Sequence, residues 1–162
     1  MNADPRVMEF FDAPLTREES VAKCGRIQRL FEAHGFSMWA VELVGEAPFV
    51  GTIGLNIPIY DAHFTPCVEV GWRLAVDYWG RGIATEGSRS VLEFGFQELD
   101  LQEIVALTTV GNLRSRRVME KLGMRCDPND DFDHPALPPG HPLRRHVLYR
   151  IANANREPSG MS

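Results

Sequence analysis

The stretch WGRGIAT, residues 79–85, constrains the fold more than any other part of this 162-residue chain. It follows a predicted strand, 67–75, and leads into a segment with helical spacing of apolar residues, 82–99. Gly80 and Gly82 permit backbone conformations and close approaches that other residues exclude. The order of strand, glycine loop and helix predicts an anion site, because free N–H groups and the helix dipole converge at a helix N-terminus. The alternative is a tight turn that binds nothing.

Two familiar phosphate-binding loops do not fit this stretch. A Walker A loop ends in Gly-Lys followed by Ser or Thr, and that ending is absent. The dinucleotide-binding fingerprint requires a third glycine, and Thr85 stands at that position. If the loop binds an anion, the sequence therefore indicates some other phosphate-bearing ligand.

The rest of the chain alternates between helical and extended patterns. Thr16 and Glu19 have the spacing of a capping box, which predicts a helix over 17–33. Asn112 and Gly123 stand at the cap and stop positions of another helix. Strands are predicted at 36–43, 49–57, 67–75, 103–110 and 144–152. This order predicts a three-layer α/β domain.

The charge balance argues against two classes of partner. Seventeen basic and twenty-two acidic residues give a net charge of -5, which disfavours broad binding to nucleic acid or to an anionic membrane surface. The same balance favours a cationic substrate through electrostatic steering. No window reaches the roughly 18 apolar residues of a membrane span, and no export leader is recognisable. We therefore expect a cytoplasmic protein without nucleic-acid or membrane partners.

Cysteine and histidine usage indicates neither disulfides nor a metal site. The cysteines form no CxxC pair and lie far apart, at Cys24, Cys67 and Cys126. Asp, Pro and Gly crowd the segment 127–142, which predicts a long loop and a candidate functional region. The histidines in and after this segment, His134, His141 and His146, have spacings that fit no standard metal site.

Two motifs together carry a family resemblance. EVGWRLAVDYWGRGIATEG, residues 69–87, followed by NLRSRRVMEKLGM, residues 112–124, resembles the GNAT N-acetyltransferase superfamily, and within it the branch of the ribosomal-protein alanine acetyltransferases RimJ and RimL. The resemblance covers most of the chain. It implies a mixed, mostly antiparallel sheet flanked by helices, acetyl-CoA as cofactor, and direct transfer of acetyl to a primary amine in a ternary complex. That amine belongs to a protein N-terminus or a small molecule.

The resemblance also assigns residues to the cofactor. It places the pyrophosphate of coenzyme A on the loop formed by Trp79, Gly80, Arg81, Gly82, Ile83, Ala84 and Thr85. It implies a bulge in the strand 67–75, which opens away from the strand 104–109 so that pantetheine pairs with backbone near Arg73, Leu74 and Ala75. Asn112 and Ser115 match the family's Asn-x-x-Ser, although a helix cap and a local hydrogen bond explain them equally well.

The motifs identify the catalytic residues less specifically than the cofactor-binding residues. Glu69 is the best base for an ammonium proton, and the alternative is a solvent-facing residue of an alternating strand. Met119 stands where many members of the superfamily have a tyrosine that acts as the general acid. That departure leaves Ser115 as the candidate acid, with Tyr149 and Tyr60 as weaker ones. His134 and His141 are expected to line the substrate cleft.

The basic run on the last predicted helix can reach a phosphate of coenzyme A or an acidic substrate, but such a run is more often a solvated helix face. It comprises Arg114, Arg116, Arg117 and Lys121. The alternative function is a catalytically inactive acetyl-CoA-binding sensor or interaction module, for which Met119 is the best support.

Relatives normally begin with an additional strand, and nothing in this sequence corresponds to it. A missing first strand leaves a sheet edge unpaired, so we expect a loop or a partner chain, as in a homodimer, to cover that edge. We divide the chain into a single N-acetyltransferase domain, 1–152, and a C-terminal tail, 153–162.

Overall fold

Local capping signals set the helix bounds in the computed structural model, which describes residues 1–154. The first helix, α1, spans Arg17–His34 and begins at the predicted capping box, in which Thr16 accepts from the Glu19 N–H and the Glu19 carboxylate accepts from the Thr16 N–H. α2 spans Ile83–Gln97 after Gly82, and α3 spans Leu113–Lys121 after Asn112. The predicted helix positions are confirmed to within two residues.

Seven strands form one mixed sheet in the order β1-β2-β3-β4-β7-β5, with β6 also paired to β7. In chain order they are β1 Met38–Leu43, β2 Ala47–Asn56, β3 Glu69–Leu74, β4 Glu103–Thr109, β5 Arg125–Cys126, β6 Phe132–Asp133 and β7 Arg145–Ala152. Only β3 and β4 are parallel neighbours, and the other pairs are antiparallel. The expected mostly antiparallel α/β fold is confirmed. β1 forms one edge, and no strand within residues 1–154 pairs with its outer side.

Two glycines let α2 lie close to the sheet. A Cβ on Gly87 would stand 2.6 Å from the Ile53 side chain, and one on Gly95 would stand 2.6 Å from that of Ile104. Ile53 and Ile104 are themselves buried in the main core. Because α2 packs closely on the face of the sheet that carries Ile53 and Ile104, its N-terminus lies at the end of β3, directly after the glycine loop.

The structure corrects two sequence expectations. The strand before the glycine loop carries no bulge toward its neighbour, since β3 pairs with β2 in unbroken register from Glu69 to Leu74. The segment 127–142 is not all loop, because it contains the short strand β6. Just after the predicted domain boundary at residue 152, the Asn153 N–H donates to the carbonyl of Gln102. The rest of the predicted tail, 155–162, lies outside the described residues.

Candidate active site

A gap between β3 and β4 organises the site. These parallel strands pair at Glu69 and Val105, where the Val105 N–H donates to the Val68 carbonyl, and they then diverge. Toward the other neighbour, β2, the Ala75 N–H donates to the Val50 carbonyl. Because backbone direction alternates along a strand, the N–H groups of Trp72 and Leu74 face the gap. The expected opening of the sheet is therefore confirmed, and it leaves a free backbone edge.

A cavity of about 660 Å³ occupies this gap and reaches both ends of it. At one end lie the glycine loop and the first turns of α2 and α3. At the other end lie Glu69, His134 and His146, with α1 and residues of the N-terminal segment forming a further wall. The cavity thus joins an anion-suited loop to a carboxylate along a free strand edge.

The glycine loop leaves open space at its helix N-terminus. Gly80 and Gly82 have φ of 73° and 84°, which side chains rarely adopt, and a Cβ on either would meet nothing within 4 Å. Gly82 is the N-cap of α2, and no side chain caps that end. The N–H groups of the first turn therefore remain available to an anion. Ile83, Ala84 and Thr85 of this turn line the cavity as expected.

Trp79 fixes the loop against the end of β3. Its indole Nε1–H donates to the Leu74 carbonyl at 2.9 Å. The guanidinium of Arg114 lies 4.6 Å from the centre of the Trp79 ring, close enough for a cation–π contact. Trp79 thereby links the free strand edge, the loop and the first turn of α3.

Three of the expected cofactor contacts are engaged elsewhere. The backbone of Arg73 faces Thr52 of β2, so Arg73 lines the cavity through its side chain. Arg81 forms a bidentate ion pair with Glu46 and does not line the cavity. The N–H of Ala75 is already used by the Val50 carbonyl, and Ala75 is likewise absent from the cavity wall. Trp72, whose N–H faces the gap, was missed, although strand alternation from Leu74 would have indicated it.

Asn112 caps α3 and also shapes the cavity wall. Its Oδ1 accepts from the Ser115 N–H at 3.2 Å, and its Nδ2 donates to Thr108 Oγ1 at 2.9 Å. Ser115 itself lines the cavity, next to the buried Met119. Tyr149 lies outside the wall, and its hydroxyl bonds to Arg116 and Glu120. Of the acid candidates, Ser115 therefore faces the gap and Tyr149 does not.

Glu69 has the environment of a base that works near neutral pH. Burial raises the pKa of its carboxyl to about 7, and a hydrogen bond from the Asn56 side chain partly opposes that rise. Tyr60 lies close by, and its pKa is raised by burial and then by the negative charge of Glu69. The Tyr60 hydroxyl is buried and has no hydrogen-bond partner among the described residues. Of the two side chains, Glu69 lines the cavity and Tyr60 does not, so Tyr60 is no better placed than Tyr149 to act as the acid.

The histidines of the acceptor end are not the predicted pair. His134 lines the cavity as expected, and its ring centre lies 5.0 Å from that of His146, which also lines it. Burial lowers the pKa of both rings. His146 Nδ1 lies 3.0 Å from the Arg144 carbonyl, so this nitrogen carries the proton and Nε2 is an acceptor. His141 lies outside the cavity, with its Nε2 3.6 Å from Asp12.

Comparison with known sequences assigns the family. Residues 1–125 match the family described as the acetyltransferase (GNAT) domain. The chain belongs to the GNAT acetyltransferases. The glycine loop, the free β3 edge and Glu69 lie within the matched range, whereas His134 and His146 lie outside it.

Two relatives of this GNAT protein illustrate the similarity. It is 32% identical to YkkB of Bacillus subtilis over 121 residues, which are 75% of this chain and 69% of YkkB. It is 31% identical over 131 residues to the FsC-acetyl coenzyme A-N(2)-transacetylase of Aspergillus fumigatus, covering 76% of this chain and 55% of that enzyme. The chain therefore spans little more than half of the fungal enzyme's length. These likenesses support an N-acetyltransferase.

Solved structures agree on the fold. A GNAT acetyltransferase from Bacillus anthracis is 27% identical, with a TM-score of 0.74 over 94% of this chain and 84% of that one. RimJ of Mycobacterium smegmatis, in complex with CoA-disulfide, is 24% identical, with a TM-score of 0.66 over 83% of this chain and 61% of that one. The second likeness concerns the fold alone.

Residues 1–154 contain neither a membrane-spanning helix nor a metal-binding cluster. No helix in this range is both long and apolar enough to cross a membrane. In the same range, no group of three or more His, Cys, Asp or Glu side chains is arranged to hold a metal ion. The three cysteines carry free thiols.

Proposed function

We propose that this GNAT protein binds acetyl-CoA in the gap between β3 and β4 and acetylates a primary amine by direct transfer in a ternary complex. One observation carries the proposal: the uncapped N-terminus of α2 and the free N–H groups of Trp72 and Leu74 open into the same cavity as Glu69. An anion site, a backbone edge and a carboxylate are the features that this transfer needs.

The residues present fit acetyl-CoA. The first-turn N–H groups after Gly82 suit its pyrophosphate, because a Cβ-free loop and a helix N-terminus leave room for phosphate oxygens. The Leu74 N–H can donate to an amide oxygen of pantetheine, while Asn112 and Ser115 border its path. Acetyl-CoA supplies the activated acetyl group as a thioester.

Glu69 is proposed as the general base. An amine attacks only in its neutral form, and a carboxyl whose pKa lies near 7 can accept the ammonium proton directly or through water. The Trp72 N–H can donate to the carbonyl oxygen that gains negative charge during attack, because it faces the gap nearer to Glu69 than the Leu74 N–H does. Ser115 is proposed to protonate the departing sulfur, since its hydroxyl lies on the α3 side of the gap.

We also propose that the protein belongs to the RimJ/RimL branch and that its acceptor is a protein N-terminus or a small molecule. The aromatic Trp79 before the glycine loop and the order of the two motifs support it. Association of two chains through the β1 edge is also proposed, because that strand has no outer neighbour within residues 1–154.

The test is calorimetric titration with acetyl-CoA and with free CoA, using Gly82→Asp against Gly140→Asp. Both glycines have φ near +83° and open space around a Cβ, so the two substitutions strain the backbone alike. Only Gly82 lies in the cavity wall, where the new carboxylate repels a phosphate. We expect wild type and Gly140→Asp to bind and Gly82→Asp to lose at least about tenfold in affinity, or about 1.4 kcal/mol. Absence of binding to the folded wild-type chain would overturn the proposal.

A further inference from the structure

The wall of the cavity formed by α1 and by Arg73 of β3 is strongly cationic, although the whole chain is acidic. Lys23, Arg26 and Arg73 all line it, and no ion pair joins any of them to a carboxylate within residues 1–154. Glu69 is the one acidic residue of the described cavity wall. We propose that the amine acceptor also carries a carboxylate, which Arg73, Lys23 and Arg26 bind. This inference rests on the proposed function and names its substrate class.

Arg73 is held in place by neutral neighbours that leave one edge of its guanidinium unused. Nη1 donates to Asn2 Oδ1 at 3.1 Å, and the guanidinium carbon lies 3.9 Å from the centre of the Phe11 ring. Nε is buried and has no acceptor among the described residues. An unpaired buried donor is costly, and a carboxylate matches the planar fork of arginine. The free Nε therefore points to an anionic ligand.

Lys23 and Arg26 bring two more positive charges to the same place from α1. They stand three residues apart, so they share a face of the helix. Burial, and after it the positive charges of Arg73 and Arg26, lower the pKa of Lys23 to about 8. Burial also lowers the pKa of Arg73, to about 10. A bound anion would relieve this repulsion.

This cluster is separate from the loop proposed for the phosphates of acetyl-CoA. Lys23, Arg26 and Arg73 also border a second, shallower recess, which contains the carboxylates of Asp12 and Glu19 but no residue of the glycine loop. The cations of the cofactor side, Arg114, Arg117 and Lys121, belong instead to α3. The cluster therefore faces the acceptor. A cationic acceptor, expected from the net charge, would be repelled here.

The strand geometry sets the size of the acceptor. Glu69 and Arg73 project from the same face of β3, because they are four residues apart, with Cα atoms about 13 Å from one another. Gly71 lies between them and has no side chain to block the path. An amine at Glu69 and a carboxylate at Arg73 are therefore separated by several bonds. This separation favours ω-amino carboxylates and short peptides over simple α-amino acids.

The experiment compares matched acceptors. ω-Amino carboxylates of increasing length and dipeptides are each assayed beside their carboxamides, which keep the amine and remove the negative charge. We expect kcat/KM for the preferred carboxylate to exceed that of its carboxamide by about tenfold or more, as charged hydrogen bonds predict. Arg73→Gln and Lys23→Gln should abolish the preference, mainly through KM. Arg89→Gln, on α2 outside the cavity wall, should keep it.

A second measurement does not depend on turnover. The chain has only two lysines, Lys23 and Lys121, so ¹³C-lysine labelling gives two side-chain signals, which Lys121→Arg assigns. Saturating carboxylate should raise the pKa of Lys23 above its value of about 8, and the carboxamide should not.

Equal turnover of acids and amides, or an Arg73→Gln enzyme that keeps the preference, would overturn the inference. Acetyl-CoA could bind while none of the compounds is acetylated. In that case, a pKa of Lys23 that stays the same with every carboxylate would also overturn the inference. Failure of acetyl-CoA to bind at all would instead sink the proposed function.

Discussion

Glu69 pairs with Val105 at the point where β3 and β4 begin to diverge. The carboxylate therefore stands at the root of the gap, where the sheet is still closed on one side and open on the other. Where β3 and β4 are paired, the sheet buries Glu69, and this burial raises the pKa of its carboxyl. Where the strands separate, an amine can reach the same carboxylate. One pairing thus sets both the protonation and the access of the candidate base.

Glu69→Gln should lower kcat/KM by about 10²–10⁴-fold, the usual contribution of a general base. In the wild type, kcat/KM should fall as the pH drops below about 7, because Glu69 becomes protonated in the folded protein. The variant should lack this limb of the profile. The measurement is a pH series of initial rates, with exposed Glu42→Gln as the control. An unchanged profile in Glu69→Gln would assign the base to another group.

The same substitution should stabilise the fold at alkaline pH. The folded pKa of Glu69, about 7, lies above its ordinary value of 4.5, so the folded state prefers the neutral acid. The benefit of that neutral form is complete below pH 4.5 and is lost as the pH rises through about 7. Glu69→Gln should therefore gain on the order of 3 kcal/mol over the wild type at pH 8 and little at pH 4. Urea unfolding at both pH values measures the difference, and equal differences would contradict it.

Sequence signals that act locally predicted the framework of the site. Thr16 and Asn112 cap helices through hydrogen bonds three residues away, and Gly80 and Gly82 adopt the positive φ that only glycine adopts readily. Such features depend on neighbours in the chain, so a single sequence reveals them. Together with the family resemblance, they located the loop and the fold.

Features that depend on tertiary contacts were missed or misplaced. Arg81 follows the loop pattern, but Glu46 from the β1–β2 turn captures it. His141 stands in the expected segment, whereas the register of β7 with β4 brings His146 to the cavity instead. The basic cluster joins α1 to β3 across about fifty residues of sequence, and no spacing rule relates Lys23 to Arg73. Only the packed fold sets these distances.

Gly54→Ala should destabilise the sheet, while Gly71→Ala should not. These glycines are paired across β2 and β3, but a Cβ on Gly54 would lie 2.2 Å from the Ser37 carbonyl oxygen, whereas one on Gly71 would meet only the end of Met38 at 3.9 Å. Backbone cannot give way as a side chain can, so Gly54→Ala should cost about 1–3 kcal/mol. Thermal unfolding of both variants measures this, and a similar loss in the two would show that the contact is not the cause.

Trp79→Phe should weaken acetyl-CoA binding as well as lower the stability of the fold. The substitution removes the indole donor to the Leu74 carbonyl and should cost about 1 kcal/mol of folding free energy. The glycine loop and the gap-facing edge of β3 then lose their connection, so affinity should fall by about fivefold or more, a shift near 1 kcal/mol. Trp39→Phe is the matched control, because Trp39 packs between Phe31 and Phe94 and does not line the cavity. That variant should lose stability and keep its affinity in calorimetric titration. Equal affinity in the two variants would mean that the Trp79 hydrogen bond does not position the loop.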